Sequence, residues 1–171
     1  MALNTDTDKT KWYPVYTHSR AEKKAYEALI DKGIEVYLPL QRTLKQWSDR
    51  KKWVEEPLIK SYIFVKIEEN AKTQVLMTKG IARFIYFSGR VTAMPSKQIE
   101  DLKLLMASSL ELEVTEENMQ PGEKIEIKAG PLKSLTGELI TYKSKTQLLV
   151  RLDNLGCSII VSIAASLINR F

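Results

Sequence analysis

Aromatic and β-branched residues dominate positions 12–17 (WYPVYT), which predicts a strand, with Pro14 arguing for an edge position or a bulge. Ser19 and Glu22 have capping-box spacing, so a helix is expected to start at Ser19. Ala21, Ala25, Ala28 and Leu29 then recur at helical spacing, and Gly33 supplies the left-handed residue that ends the helix. A second strand is predicted over 35–40. Residues 42–53 (RTLKQWSDRKKW) are polar and basic with Ser48-Asp49 near the middle, and read as a hairpin or long loop.

Residues 58–67 (LIKSYIFVKI) give a clear strand signal with two unlike faces. Strict alternation puts Ile59, Ser61, Ile63, Val65 and Ile67 on an aliphatic side. Leu58, Lys60, Tyr62, Phe64 and Lys66 fall on the other, which looks partner-facing. A helix over 70–79 ending at Gly80, a strand over 81–87, a Ser88-Gly89 turn and a short strand over 91–94 follow. Pro95-Ser96 opens a third helix with Ile99, Leu102, Leu105 and Met106 on one stripe. Residues 107–120 hold four Glu and no base and read as a linker with a short strand at its start, or as a continuation of that helix. Beyond Pro121-Gly122, short strands are predicted over 124–128, 138–143, 148–153 and 158–163, the signature of a small β-barrel. The expected fold class is α+β: an antiparallel sheet with flanking helices over 11–106, a linker over 107–120, and a barrel over 121–171, behind a frayed tail at 1–10.

Charge sharpens this division. The 171 residues carry a net +5, but residues 1–106 hold +6 and residues 107–171 hold −1. A hydrophobic content of 44% supports a packed core. There is no apolar leader and no stretch long enough to span a membrane, so a soluble cytoplasmic protein is expected. One His and one Cys exclude a His/Cys zinc cluster, and the lone Cys157 fits a reducing compartment. Phosphate-loop, dinucleotide-binding, zinc-protease and nucleophile-elbow motifs are all absent, and nothing supports a reaction.

Three constellations remain. Segment 42–53 could sit on phosphates, with Lys and Arg supplying charge and Trp47 and Trp53 a stacking face; the plainer alternative is a solvated loop. Tyr62 and Phe64, joined by Tyr16 if that side of its strand faces outward, could dock a protein; the plainer alternative is ordinary core under a second layer. Residues 121–137 (PGEKIEIKAGPLKSLTG) carry glycines that suit close turns.

The stretch IEIKAGPLKSLTGELI, continued by NLGCSIIVSI at 154–163, resembles a KOW motif. KWYPVYTHSRAEKKAYEAL, EPLIKSYIFVKI and TKGIARFIYFSGR resemble the NGN domain of the NusG family, and the two modules stand in family order over 11–171. The resemblance implies a non-enzymatic, cofactor-free monomer that binds transcribing RNA polymerase. Its NGN domain would dock on the clamp helices of the largest subunit, bridge the cleft, contact upstream or non-template DNA, and suppress pausing and termination. The positions matching the docking patch are Tyr16, Ile59, Tyr62 and Phe64, with Ile59 replacing the usual Phe and Lys60 the usual Pro. Arg42, Lys45, Arg50, Lys51 and Lys52 lie in the variable loop near nucleic acid. At 71–73, where specialised members carry His-Thr-Thr, only Thr73 agrees. Leu155, Gly156 and Cys157 occupy the KOW partner surface; Leu155 and Cys157 replace the usual Phe and Arg, which puts contacts with termination factor Rho and the ribosome in question. This combination most resembles UpxY-type antiterminators of capsular polysaccharide operons. A housekeeping factor coupling polymerase to Rho and ribosome, or a ribosome- or RNA-associated KOW protein, stands as the alternative.

Overall fold

The computed structural model describes residues 8–170, so most of the predicted 1–10 tail lies outside the described residues. In chain order the elements are β1 (Lys11–Thr17), α1 (Glu22–Asp31), β2 (Glu35–Tyr37), β3 (Leu40–Gln46), β4 (Lys51–Pro57) and β5 (Tyr62–Ile67). Next come α2 (Lys72–Leu76), β6 (Ile81–Phe84), β7 (Tyr86–Phe87), β8 (Arg90–Val91) and α3 (Ser96–Ala107). The rest is strand: β9 (Leu112–Thr115), β10 (Glu123–Ile127), β11 (Thr136–Tyr142), β12 (Lys145–Leu152), β13 (Cys157–Val161) and β14 (Ile168–Arg170). The fold is therefore mixed, with antiparallel sheets and few helices. None of the helices among the described residues is long and apolar enough to cross a membrane. The chain forms two compact units, one running to Leu38 and resuming over Lys60–Ser96, the other comprising Pro39–Ile59 and the chain from Lys97 onward.

The first unit is built on an antiparallel sheet of order β2-β5-β1-β6. Register puts Tyr13, Val15, Ile63, Val65 and Phe84 on one face, all buried. α1 lies against β2 and β5, and α2 against β6. The alanine stripe proves its use at Gly80 (φ +92), where an added Cβ would stand 3.1 Å from that of Ala25. Lys32 Nζ ties the end of α1 to the turn after α2 by donating to Thr78 Oγ1 at 2.9 Å.

Two local expectations are corrected here. Pro14 sits in an interior strand, not at an edge. Its missing N–H costs no ladder bond, because β6 has ended at Phe84 and only Ile85 N–H reaches the Pro14 carbonyl, at 3.4 Å. The expected bulge does occur in β1, but between Tyr16 and Thr17. The helix starts at Glu22 behind Ala21 with no side-chain cap, so the Ser19–Glu22 capping box does not form. Glu22 is buried and serves another segment, described below.

The second unit holds the β3–β4 hairpin and a six-stranded antiparallel sheet of order β14-β10-β11-β12-β13-β9. No pairing joins its two end strands among the described residues. The segment read as a linker supplies β9, which pairs with β13. Ile125, Ile127, Leu148, Leu152 and Ile159 form the core on one face, while Ile140, Leu149 and Ile160 pack with Met119 and Tyr142 on the other. Burial on both faces explains why β13 reads as an unbroken apolar run. On the second face, Arg151 Nε donates to Glu138 Oε2 at 2.5 Å and Arg151 Nη2 to the Met119 carbonyl at 2.9 Å. Glu138 also accepts from Gly122 N–H at 3.0 Å, so one ion pair anchors the 119–122 crossing. The guanidinium holds the Glu138 carboxyl below its ordinary range.

Candidate functional site

The aromatic surface of the first unit begins at a turn. β5 starts only at Tyr62; Leu58–Ser61 form a bend, and Ser61 has φ +65. A non-glycine residue held there is costly unless its backbone is fixed. It is fixed twice: Ser61 N–H donates to Glu22 Oε1 at 2.8 Å, and the Ser61 carbonyl accepts from Thr17 N–H at 2.8 Å. This bend also breaks the strict alternation expected through 58–67.

Beyond the bend, Tyr62 stands opposite Tyr16 on β1, and Tyr16 opposite Arg83 on β6. The tyrosines meet edge to face with centroids 5.4 Å apart, and the Arg83 guanidinium lies 5.4 Å from the Tyr16 ring centre. Both tyrosines are half-buried. A three-member ladder with accessible rings thus crosses the sheet. Tyr16 joins Tyr62, although Trp12 and Pro14 on the same side of β1 are buried. Arg83 was not foreseen, because its place depends on the β1–β6 register.

Phe64 shares this face but is fully buried at 0% exposure, with Tyr37 stacked on it at 6.4 Å and Pro14 opposite in register. Its expected exposure is therefore corrected: it is packed against Tyr37 on that face and does not stand open. Ile59 is buried as well, at 5%. Burial also raises the Tyr37 phenol to about 12, so it stays protonated. Two further features of this unit lie outside the ladder. Lys72, in the 71–73 segment, is paired to Glu69 at 3.0 Å. Tyr86 and Phe87 on the β7–β8 ribbon are exposed large rings that the sequence reading left unassigned.

The basic segment is a regular hairpin, closed by Trp47 N–H donating to the Arg50 carbonyl at 2.7 Å. Register splits its cations. Arg42, Leu44, Lys51, Trp53 and Glu55 share one face; Thr43, Lys45, Lys52, Val54 and Glu56 share the other; Arg50 is in the turn. Lys45 is ion-paired to Glu56, which also accepts from Thr43 Oγ1 at 3.1 Å. Arg42 lies 5.7 Å from the Trp53 ring centre. The three exposed apolar side chains here are Leu44 (49%), Trp47 (54%) and Trp53 (57%).

In the second unit, Leu155 is half-buried and Gly156 is exposed with φ +66. Cys157 is buried, because register places it opposite Leu152 on the core face. Burial, then Glu116, raises its thiol to about 11. The expected KOW surface is thus Leu155 and Gly156, with Cys157 turned inward. A cleft of about 310 Å³ beside them is lined by Glu116, Glu117, Asn118, Arg151 and Ser158 among others. Among the described residues no group of three or more His, Cys, Asp or Glu could hold a metal ion.

The family model described as "Transcription termination factor nusG" matches residues 10–103, more than half of the chain. The structure is similar to one described as "Domain interaction in Thermotoga maritima NusG", at 18% identity and TM-score 0.55, covering 95% of this chain and 97% of that one. A lower similarity, TM-score 0.32 at 17% identity, links it to "Crystal Structure of MjSpt4:Spt5 complex conformation B", covering 93% and 95% of the two chains.

Proposed function

The chain belongs to the NusG family of transcription factors, and from that premise we propose that it is a cytoplasmic, non-enzymatic elongation and antitermination factor that binds RNA polymerase. In this proposal the NGN domain, residues 11–106, docks on the clamp helices of the largest subunit, contacts upstream or non-template DNA, and suppresses pausing and termination. The observation that carries it is the accessible Tyr62–Tyr16–Arg83 ladder on a sheet whose other face is already filled. Tyr and Arg are the residue types that concentrate binding energy at protein interfaces. Tyr16 and Tyr62 make the contact, the buried Phe64 supports them, and the buried Ile59 takes no direct part. The hairpin cations Arg42, Lys45, Arg50, Lys51 and Lys52 serve the nucleic acid. Residues 121–171 are the KOW module, a small barrel with Leu155 and Gly156 as its partner surface.

Within the family the assignment is a specialised UpxY-type antiterminator of polysaccharide operons. It is supported by Leu155 and Cys157 at positions where housekeeping members carry Phe and Arg, and it predicts no binding to Rho. No cofactor or metal takes part, and the protein works as a monomer. The test is transcription in vitro across a strong pause and a terminator. Wild-type protein shortens the pause and raises read-through; the Tyr16→Ala/Tyr62→Ala variant, shown to be folded, does neither. A double variant as active as wild type sinks the patch assignment.

A further inference from the structure

The hairpin asks why a short, solvated ribbon spends three large apolar side chains on solvent. Exposed apolar surface on a soluble protein is unfavourable and marks a binding site when it is contiguous. The answer lies in how register sorts the side chains. On one face, Gln41, Thr43, Val54 and Glu56 are all partly shielded; Lys45 and Lys52 are exposed there, and Lys45 is neutralised by Glu56. On the opposite face, Arg42, Leu44, Lys51, Trp53 and Glu55 are all exposed, with Glu55 directly opposite Arg42, so two cations stand there against one carboxylate. Leu44 and Trp53 are direct cross-strand partners, and Arg42 reaches the same indole. Trp47, in the turn, adds a second exposed ring. The ribbon carries five cations against three acids over residues 40–57.

A purely electrostatic phosphate contact needs none of these rings, and a protein of ordinary interface size needs a broader surface than two short strands present. Paired bases in a duplex already stack on each other, leaving only phosphates and groove edges to such a surface. Unpaired bases offer free π-faces, and flanking cations meet their backbone. We infer that the Arg42–Leu44–Lys51–Trp53 face of the β3–β4 hairpin binds single-stranded nucleic acid, with an unpaired base stacked on Trp53 and Arg42 holding the indole in place. This rests on the nucleic-acid assignment proposed above and narrows it to an unpaired strand and to one face. Trp47 provides a stacking position for a neighbouring base.

The test titrates the full-length protein with a short oligothymidylate and, separately, with the duplex it forms with oligoadenylate, following tryptophan fluorescence and anisotropy of a labelled strand. Wild-type protein binds the single strand more tightly and its fluorescence is quenched. Trp53→Leu, which keeps apolar bulk but removes the ring system, weakens single-strand binding about 5- to 150-fold, the change that ~1–3 kcal/mol per stacked base corresponds to. It leaves the duplex affinity nearly unchanged. Trp53→Phe keeps a stacking face and recovers most of the loss. Failure to bind either form overturns the nucleic-acid assignment as a whole. Equal affinity for both forms, or a Trp53→Leu variant equal to wild type on the single strand, overturns this inference alone. So does loss of polymerase binding in Trp53→Leu with oligonucleotide binding intact, which would put a protein on this face.

Discussion

Replacing Glu22 by Ala removes the acceptor that holds Ser61 in its left-handed conformation, one residue before Tyr62. The magnitude can be built from its parts. A hydrogen bond to a charged group contributes about 1.5–3 kcal/mol, and losing it strands the Ser61 N–H. The positive φ at Ser61 carries about 1–2 kcal/mol of backbone strain in wild type and variant alike, so it does not add to this cost. Glu22→Ala should therefore destabilise the first unit by about 2 kcal/mol, which at a urea slope of ~2 kcal/mol/M moves its midpoint by about 1 M. Glu22→Gln keeps an uncharged acceptor and should cost about half as much. Adding Ser61→Gly to Glu22→Ala removes the strain and should recover about 1 kcal/mol. Urea unfolding is followed with Trp47 and Trp53 replaced by Phe, so that the buried Trp12 reports on the first unit alone. An unchanged midpoint in Glu22→Ala, or no recovery on adding Ser61→Gly, would refute the reasoning that this carboxylate fixes the bend.

Phe64→Ala, in a fully buried position, should destabilise the first unit by about 3–5 kcal/mol in the same assay, whereas Tyr62→Ala should leave its midpoint within about 1 M of wild type. Gly137→Ala would place a Cβ 2.6 Å from the Leu149 carbonyl oxygen and should destabilise the second unit by about 1–3 kcal/mol, read from its thermal transition. Glu138 is held below its ordinary pKa by Arg151, so its stabilising effect is present above the unfolded-state value of ~4.3 and is lost as pH falls through the lower folded value. Acid unfolding followed by circular dichroism should show this contribution, and Arg151→Leu should remove it; an unchanged acid profile in that variant would count against the pair. Cys157, buried with its thiol raised to about 11, should resist a thiol reagent near neutral pH and react promptly once urea unfolds the protein.

The sequence revealed structure where the determinant was local. Gly33 and Gly80 end their segments with positive φ, Ser88-Gly89 turns the β7–β8 ribbon, and the basic segment forms a hairpin. It misled where a distant partner decided the outcome. Glu22 looks like a capping residue until Ser61, far along the chain, takes its carboxylate. Pro14 looks like an edge residue until β6 is seen to stop beside it. Segment 107–120 reads as holding a short strand, but its sequence does not show that β9 pairs with β13, which is remote along the chain. The candidate site was legible in the same uneven way. Alternation picked out Tyr16 and Tyr62, but it could not show that Tyr37 stacks on Phe64 or that Arg83 completes the ladder. It listed the hairpin cations without showing that register divides them between two faces.

The central claim is that the accessible tyrosines, and not the buried Phe64, make the contact with RNA polymerase. It is tested most directly by titrating labelled full-length protein with core RNA polymerase and comparing dissociation constants of wild type, Tyr16→Ala and Tyr62→Ala, each first shown to unfold like wild type. The account predicts that each substitution weakens binding by about 10- to 30-fold, the range that ~1.4–2 kcal/mol per anchoring ring implies. Dissociation constants equal to wild type in both folded variants would contradict it.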